Sequence, residues 1–359
     1  MTDHPPIVET FLHLVQIDSP TGHEQQLAET LLGMLRDLGA QVHTDAAGNV
    51  IAALDGEGEP ILLSAHMDTV EPGRGIKPRI QDGIITSDGT TILGSDCKSG
   101  IAVVLEVLRR LKATGARHRP LDIVFSVGEE GGLIGAKRLD VSAVRAKVGL
   151  VLDSGGPIGT LVRQAPCQDS LAVTIHGKAA HAGTDPEKGI NAIVVAAEAI
   201  AQMPLGRIDA ETTANVGKIA GGVATNIVPD RVEIAGEARS LKGEKLAAQT
   251  SRMVKAFEAA AARHGARAEI HVTRSYEAYY LPDDHPWVRH LVGVCKRLGV
   301  EPVLMSSGGG SDANVYNAKG IQCVVTSTGM SNVHTTAEQI AIADLLGAAE
   351  LVYAVVTAL

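Results

Sequence analysis

Histidines and carboxylates recur in this sequence directly behind short apolar runs. Ile61-Leu62-Leu63-Ser64-Ala65 leads into His66-Met67-Asp68, and Gly94-Ser95 leads into Asp96-Cys97-Lys98-Ser99-Gly100. Residues 121–127 end in Gly128-Glu129-Glu130-Gly131-Gly132, residues 148–152 end in Asp153, and residues 322–326 precede a loop that carries His334. Where such runs are strands of one open α/β sheet, their carboxyl ends converge on a crevice, and residues distant in the chain meet there. Two imidazoles and three carboxylates would then face one another.

A group of that kind is unfavourable without compensation, because buried carboxylates repel and stay ionised only beside a cation or hydrogen-bond donors. Divalent metal is the simplest remedy. Two zinc-like ions about 3.5–4 Å apart, sharing one carboxylate, would use five ligands and leave room for a bridging water. The mixed nitrogen and oxygen set suits zinc, with cobalt or manganese as alternatives, whereas calcium and magnesium prefer oxygen alone. Each residue taken singly also has an ordinary reading. A lone His66 or His334 is commonly a surface or hydrogen-bonded residue, Asp68, Asp96 and Asp153 suit helix caps or turns, and adjacent Glu129 and Glu130 suit a solvated charge pair. The joint placement favours a metal centre.

The scaffold for these residues follows from length and pattern. At 359 residues the chain has room for two domains of about 150 residues each. Hydrophobic residues at 45% and charged residues at 20% describe an ordinary globular protein and exclude a disordered or fibrous one. A net charge of −9 argues against nucleic acid or an anionic membrane as partner, and 3% aromatics leave few platforms for stacking bases. Met1-Thr2-Asp3-His4-Pro5-Pro6 lacks the basic start and apolar stretch of a secretory signal, and no apolar run reaches about 18 residues, so the expected location is the cytoplasm. Cys97, Cys167, Cys295 and Cys323 are isolated, with no C-x-x-C pair, so any metal must be held by nitrogen and oxygen.

Up to about residue 165, apolar runs alternate with helix-like stretches, the pattern of an α/β layer with a mainly parallel sheet. Strands are expected at 61–65, 121–127 and 148–152, with a buried helix at 99–112, where Ile101, Val104, Leu105, Leu108 and Leu111 recur at helical spacing. The rhythm then changes to a strand at 171–176, a helix at 187–203, strands at 213–219 and 231–239, a helix at 243–264 and a strand at 268–273. This β-α-β-β-α-β unit has the size of a small domain and reads as an insertion. After Pro282-Asp283-Asp284-His285-Pro286 the first pattern resumes, with a helix at 287–298, a strand at 322–326 and a closing helix at 340–357. The expected domains are 1–167 and 282–359 for the α/β layer and 168–281 for the insertion, with hinges near Cys167 and Pro282.

With these residues in place, the sequence resembles metallopeptidase family twenty, which includes carboxypeptidase G, aminoacylase, succinyl-diaminopimelate desuccinylase and peptidase T. The resemblance spans essentially the whole chain. It is carried by S-A-H-M-D, G-S-D-C-K-S-G, G-E-E-G-G, L-D-S-G-G, H-G-K-A-A-H-A-G and A-T-N-I-V-P-D-R-V-E-I-A-G-E-A-R. The last two segments look most like the peptidase T-like branch, whose relatives are tripeptide aminopeptidases. The resemblance implies a zinc-exopeptidase-type catalytic domain with an inserted lid and dimerisation domain, hence a homodimer.

By that resemblance, His66, Asp96 and Asp153 would bind one metal and Asp96, Glu130 and His334 the other, with Asp96 as the bridge. Asp68 would orient the ring of His66, and Glu129 would be the general base that takes a proton from the metal-bridged water and hands it to the leaving amine. His181 would donate to the oxyanion in the partner subunit's site, although by itself it reads as a surface-loop residue. Asn226 and Arg239 would hold the substrate's carbonyl or terminal carboxylate; the ordinary alternative for Arg239 is an exposed strand arginine. Cys97 departs from the family, where many relatives carry a second Asp. Ser306-Ser307-Gly308-Gly309-Gly310-Ser311-Asp312 lacks the G-K-[ST] ending of a phosphate loop, and the family places substrate-contacting backbone there, at Gly308. Lys98, Lys178 and Asp312 carry no role beyond local support.

The first expectation is therefore a dinuclear zinc exopeptidase acting on short peptides. An N-acyl amino acid deacylase or carboxypeptidase would use the same site. A protein of another class, which binds peptide through the metals without turnover, would have no need of a base such as Glu129.

Overall fold

The computed structural model describes residues 4–359, so the part of the amino-terminal reading that turns on Met1, Thr2 and Asp3 lies outside the described residues. Among the described residues, no helix is long and apolar enough to cross a membrane. The chain forms two units. One comprises the chain up to Gln164 with Tyr280–Ser307 and Ser311–Leu359, and the other comprises Ala165–Tyr279 with Gly308–Gly310.

The first unit is built on a mixed sheet whose strands run in the order Gln41–Thr44, Val50–Leu54, Leu121–Ser126, Ile61–His66, Val148–Gly155, Gln322–Met330 and Thr160–Ala165. Its centre is parallel: Ile61–His66 lies between Leu121–Ser126 and Val148–Gly155, and Gln322–Met330 pairs with the latter. The flanking pairs are antiparallel, except that Val303–Ser306 runs parallel beside Thr160–Ala165. Ile61–His66 and Leu121–Ser126 are buried along their whole length, as expected of parallel strands covered on both faces. The register sets His66 opposite Ser126 and Ser327 opposite Ser154, so the polar segments that follow these strands leave the sheet at one edge.

The buried helix spans Ser95–Thr114, longer at both ends than the apolar spacing predicts. Asp96 and Cys97 have non-helical backbone angles, so regular helix begins close to the expected Ser99. At the other end Gly115 adopts φ 62°, a left-handed conformation that glycine enters without a Cβ clash. Gly100 serves a different need: a Cβ there would lie 2.4 Å from the carbonyl oxygen of Leu152, so only glycine lets the helix approach the sheet this closely. A small three-stranded sheet of Gln339–Ala341, Ile84–Thr86 and Arg79–Gln81 was not apparent from the sequence. Each of its strands has three residues, too few for a period of two to register.

The second unit is a five-stranded antiparallel sheet in the order Gly206–Arg207, Thr212–Gly221, Arg231–Ser240, Cys167–His176 and Arg267–Tyr276. Alternate residues of Cys167–His176, including Leu171, Val173 and Ile175, enter a core completed by Val195 and Ala199 of one helix and Met253 and Phe257 of the other. The first of these helices is Ala192–Gln202, shorter than the expected 187–203. Asn191 accepts the backbone N–H groups of Ile193 and Val194 at 3.0 and 3.2 Å and so fixes the start, while Pro186–Lys188 forms a separate 3-10 turn.

Candidate metal centre

The parallel strands deliver the first group of side chains. His66 ends its strand almost fully buried, with Nε2 3.0 Å from Asp96 Oδ1 and 3.8 Å from Asp153 Oδ1. Its Nδ1 lies 2.9 Å from the backbone carbonyl oxygen of Asp68, which as acceptor keeps a proton on Nδ1 and turns Nε2 toward the carboxylates. Asp153 comes from the neighbouring strand Val148–Gly155, and Asp96 from the non-helical turn that opens the buried helix.

The second group shares Asp96. His334 Nε2 lies 2.7 Å from Glu130 Oε1 and 3.3 Å from Asp96 Oδ2. The two oxygens of Asp96 thus serve different histidines, Oδ1 toward His66 and Oδ2 toward His334. His334 has φ 64°, so a left-handed backbone turn aims its ring at the carboxylates. Ligand atoms of His66, Asp96 and Asp153 lie within 4.8 Å of one another, as do those of Asp96, Glu130 and His334. All five residues expected to bind metal are therefore gathered, and Glu129 joins them in a further group with His66 and Glu130.

Asp68 meets the Nδ1 side of the His66 ring twice: its carboxylate Oδ1 is 3.4 Å from Nδ1, beside the closer backbone carbonyl at 2.9 Å. The carboxylate also accepts Thr21 Oγ1 at 2.7 Å, the N–H of Glu129 at 2.9 Å and the N–H of Glu130 at 3.2 Å. Asp68 thereby connects the His66 strand end to the Glu129-Glu130 turn. Cys97, the departure from the family pattern, follows a cis peptide bond, is fully buried and donates from Sγ to the carbonyl of Leu152 at 2.7 Å.

The charges of the group explain why it would take cations. Burial alone would lower the pKa of His66, but hydrogen bonding to Asp68 and Asp96 overcomes this and holds the imidazole well above its usual value. Asp96 and Glu130 push the partly exposed His334 up to about 10. Burial would raise Asp96, but His334 and His66 hold its carboxyl well below the usual range. Asp153 and Glu129 go the other way. Burial raises Asp153 most, with the Asp96 charge adding to it, and burial raises Glu129 with help from Asp312 and Glu130, against the pull of His66. In the protein alone, protons balance the crowded carboxylates. Divalent ions supply the same positive charge to a nitrogen and oxygen donor set, so the residues fit a pair of such ions.

Several contributors had no signal in the sequence. Asp312 is buried, is hydrogen-bonded by Ser126 and has its pKa raised by burial to about 6. Glu24 accepts the N–H of Gly128 at 2.9 Å and steadies the turn that bears Glu129. Both stand outside the strand-end pattern, and neither is flanked by a motif that separates it from an ordinary surface carboxylate.

His181, Asn226, Arg239 and Gly308 belong to the second unit. His181 Nδ1 accepts the N–H groups of Gly183 at 3.2 Å and Thr184 at 3.1 Å, which fixes the tautomer with its proton on Nε2. The exposed Asn226 accepts Ala182 N–H through its backbone carbonyl at 2.9 Å. Arg239 is partly buried, and its guanidinium makes a two-pronged contact with Glu237 at 2.9 and 3.0 Å. A Cβ on Gly308 would meet nothing within 4 Å, whereas one on Gly310 would lie 2.3 Å from the Tyr276 ring, so steric need for glycine in this loop falls on Gly310.

A mainly parallel α/β sheet that gathers two histidines and several carboxylates at one edge, with a further carboxylate beside them, is the arrangement of a metal-dependent hydrolase. Residues 62–358 match the Peptidase family M20/M25/M40, and the chain belongs to that family of metallopeptidases. An uncharacterized protein, YqjE, of Bacillus subtilis is 44% identical over 99% of both chains. The aminopeptidase PepT from Bacillus cereus is 45% identical, with 98% of this chain and 97% of that one covered, and its crystal structure superposes with a TM-score of 0.89. A tripeptidase from Staphylococcus aureus is 39% identical over the same shares of the two chains, with a TM-score of 0.93.

Proposed function

We propose that this chain is a dinuclear aminopeptidase that hydrolyses tripeptides, with zinc as the resident metal. The observation that carries the dinuclear reading is the division of Asp96 between His66 and His334, one carboxylate oxygen to each. His66, Asp96 and Asp153 would hold one ion, and Asp96, Glu130 and His334 the other. When bound, the two ions supply an acidified water and a Lewis acid for the scissile carbonyl. The tripeptide reading rests on the similarity to the PepT aminopeptidase and the tripeptidase.

The roles of the protein groups follow from their chemistry. Glu129 is the proton carrier: its raised pKa suits a carboxylate that takes a proton from water and delivers it to the departing amine. Asp68 fixes the backbone from which Glu129 reaches. His181 carries its proton on Nε2 and donates a hydrogen bond through it to the developing oxyanion in the partner subunit's site. Asn226, Arg239 and the backbone at Gly308 orient the peptide, with Glu237 holding the guanidinium of Arg239 in place. The second unit forms a homodimer; Ile193, Val194, Ile219 and Val223 give it exposed apolar surface, with Val223 85% exposed. Four unpaired, buried cysteines suit the reducing cytoplasm.

A substrate panel tests this reading. Zinc-loaded protein is incubated with tripeptides, dipeptides and N-acetyl amino acids, and the products are identified by mass spectrometry. Release of the amino-terminal residue from tripeptides is expected. Turnover confined to N-acetyl amino acids would establish a deacylase in its place, and binding of peptide without turnover would establish the non-catalytic reading.

A further inference from the structure

Four residues beyond His334 lies a carboxylate that the strand-end pattern does not mark. Glu338 is 1% exposed and accepts four hydrogen bonds from a single turn. Leu93 N–H and Gly94 N–H donate to Oε2 at 2.8 and 2.9 Å; Ser95 Oγ and Asp96 N–H donate to Oε1 at 2.5 and 3.0 Å. Each oxygen receives two donors. A neutral amide in its place could accept on one side only and would turn its own N–H groups toward donors on the other.

The turn that Glu338 grips ends at Asp96, and the loop that Glu338 closes carries His334. That loop is tied at its base by Ser331 and Gln339, whose backbone groups exchange hydrogen bonds at 2.9 and 3.0 Å. His66 and Asp153, by contrast, stand on strands that flank one another in parallel register and are held by sheet hydrogen bonds. The Asp96 and His334 segments share no such ladder. Their relative placement, 3.3 Å between Asp96 Oδ2 and His334 Nε2, is held by the Glu338 side chain, while Ser99 Oγ and Thr328 Oγ1, 2.8 Å apart, tie the helix to the strand ahead of the loop.

We infer that Glu338 is a positioning residue for the second ion: it locks the Asp96 turn to the His334 loop and so sets the site formed by Asp96, Glu130 and His334. This rests on the dinuclear reading above. Because the first ion also draws on the sheet-borne His66 and Asp153, loss of Glu338 weakens the two sites unequally.

The test is zinc binding to metal-free protein, measured by competition with a chelator, together with the melting temperature of the metal-free form. Glu338→Gln is expected to weaken the second ion by about 10–100-fold, the range for partners that orient ligands, and the first by less than about 3-fold. Ser95→Ala, which removes one of the four donors and leaves the carboxylate in place, gives a smaller loss in the same direction and serves if Glu338→Gln does not fold. A role in fold stability alone predicts a lower metal-free melting temperature with both zinc affinities unchanged, and that result, or equal weakening of both sites, overturns the inference. A wild-type chain that takes up fewer than two ions overturns the dinuclear reading and this inference with it.

Discussion

The carboxylate of Asp68 holds the backbone of Glu129, accepting its N–H at 2.9 Å, while the carbonyl of the same aspartate holds the ring of His66. One residue thus references the proposed base to a proposed ligand. Asp68→Asn keeps the shape and the carbonyl contact but presents an amide N–H to a backbone N–H. The expected result is a fall in kcat of roughly 10–100-fold with two ions still bound, because the base is displaced and the ligands are not. Metal analysis alongside steady-state kinetics checks this; loss of an ion would assign Asp68 to the metal site instead.

Glu129 and its neighbour Glu130 separate by the same pair of measurements. Glu129→Gln removes the proton acceptor and leaves the ligand set intact, so turnover should fall by about 10²–10⁴-fold with metal content unchanged. Glu130→Gln should lose the second ion, since Glu130 is the carboxylate 2.7 Å from His334. Near-normal rates in Glu129→Gln would remove that residue from the chemistry.

The division between what the sequence discloses and what it conceals has a physical basis. Ile61–His66 is legible because a parallel strand buried on both faces must be a continuous apolar run, and a histidine at its end breaks the run visibly. The same contrast exposes Asp153 and the Glu129-Glu130 pair. Glu338 and Glu24 are different, since their work is to accept backbone N–H groups from segments distant in the chain, and an acceptor of backbone donors imposes no period on its own neighbourhood. The helix that begins at Ala192 is shorter than its apolar spacing implies for a related reason. Asn191 stops it through a side-chain cap, whereas periodicity registers only the apolar face.

Metal loading should release protons. In the metal-free protein His66 is held well above the ordinary imidazole range and His334 at about 10, so both rings are protonated at pH 7, while a ligating imidazole is neutral. Binding therefore expels about two protons from these rings, and affinity for zinc falls as the pH is lowered. Calorimetry at pH 7 in buffers of different ionisation enthalpy measures the number directly. Zero protons released, or an affinity independent of pH between 6 and 8, would contradict the arrangement of charges described here.

All four cysteines are unpaired and fully buried, and Cys97 lies with its thiol on the Leu152 carbonyl. Burial raises the thiol of Cys97 well above its ordinary value and that of Cys323 beyond it as well. A thiol reacts as the thiolate, so none of the four should be modified in the native protein at pH 8, and all four should react once it is denatured. Titration with a chromogenic disulfide reagent before and after denaturant gives both counts. A fast-reacting thiol in the native state that peptide mapping assigns to Cys97 would show that the Asp96-Cys97 turn opens to solvent.

Lys98 gives a stability prediction with a defined sign. Its side chain is completely buried, Nζ donates to the carbonyl of Ile17 at 2.7 Å, and burial pushes its pKa down to about 7 against the opposing charges of Asp18 and Glu338. The unfolded chain keeps the ordinary lysine value of about 10.4, so between pH 7 and that value it binds a proton that the folded protein does not. Stability from this group therefore rises with pH across that window, by at most about 1.4 kcal/mol per unit, and its full penalty is felt below pH 7. Lys98→Met fills the space without a charge and removes the penalty. Measured by denaturant unfolding of metal-free protein, the stability of Lys98→Met relative to the wild type should be most favourable near pH 6 and decline steadily toward pH 9. A difference that stays constant over that range would mean that Lys98 does not change its charge on folding.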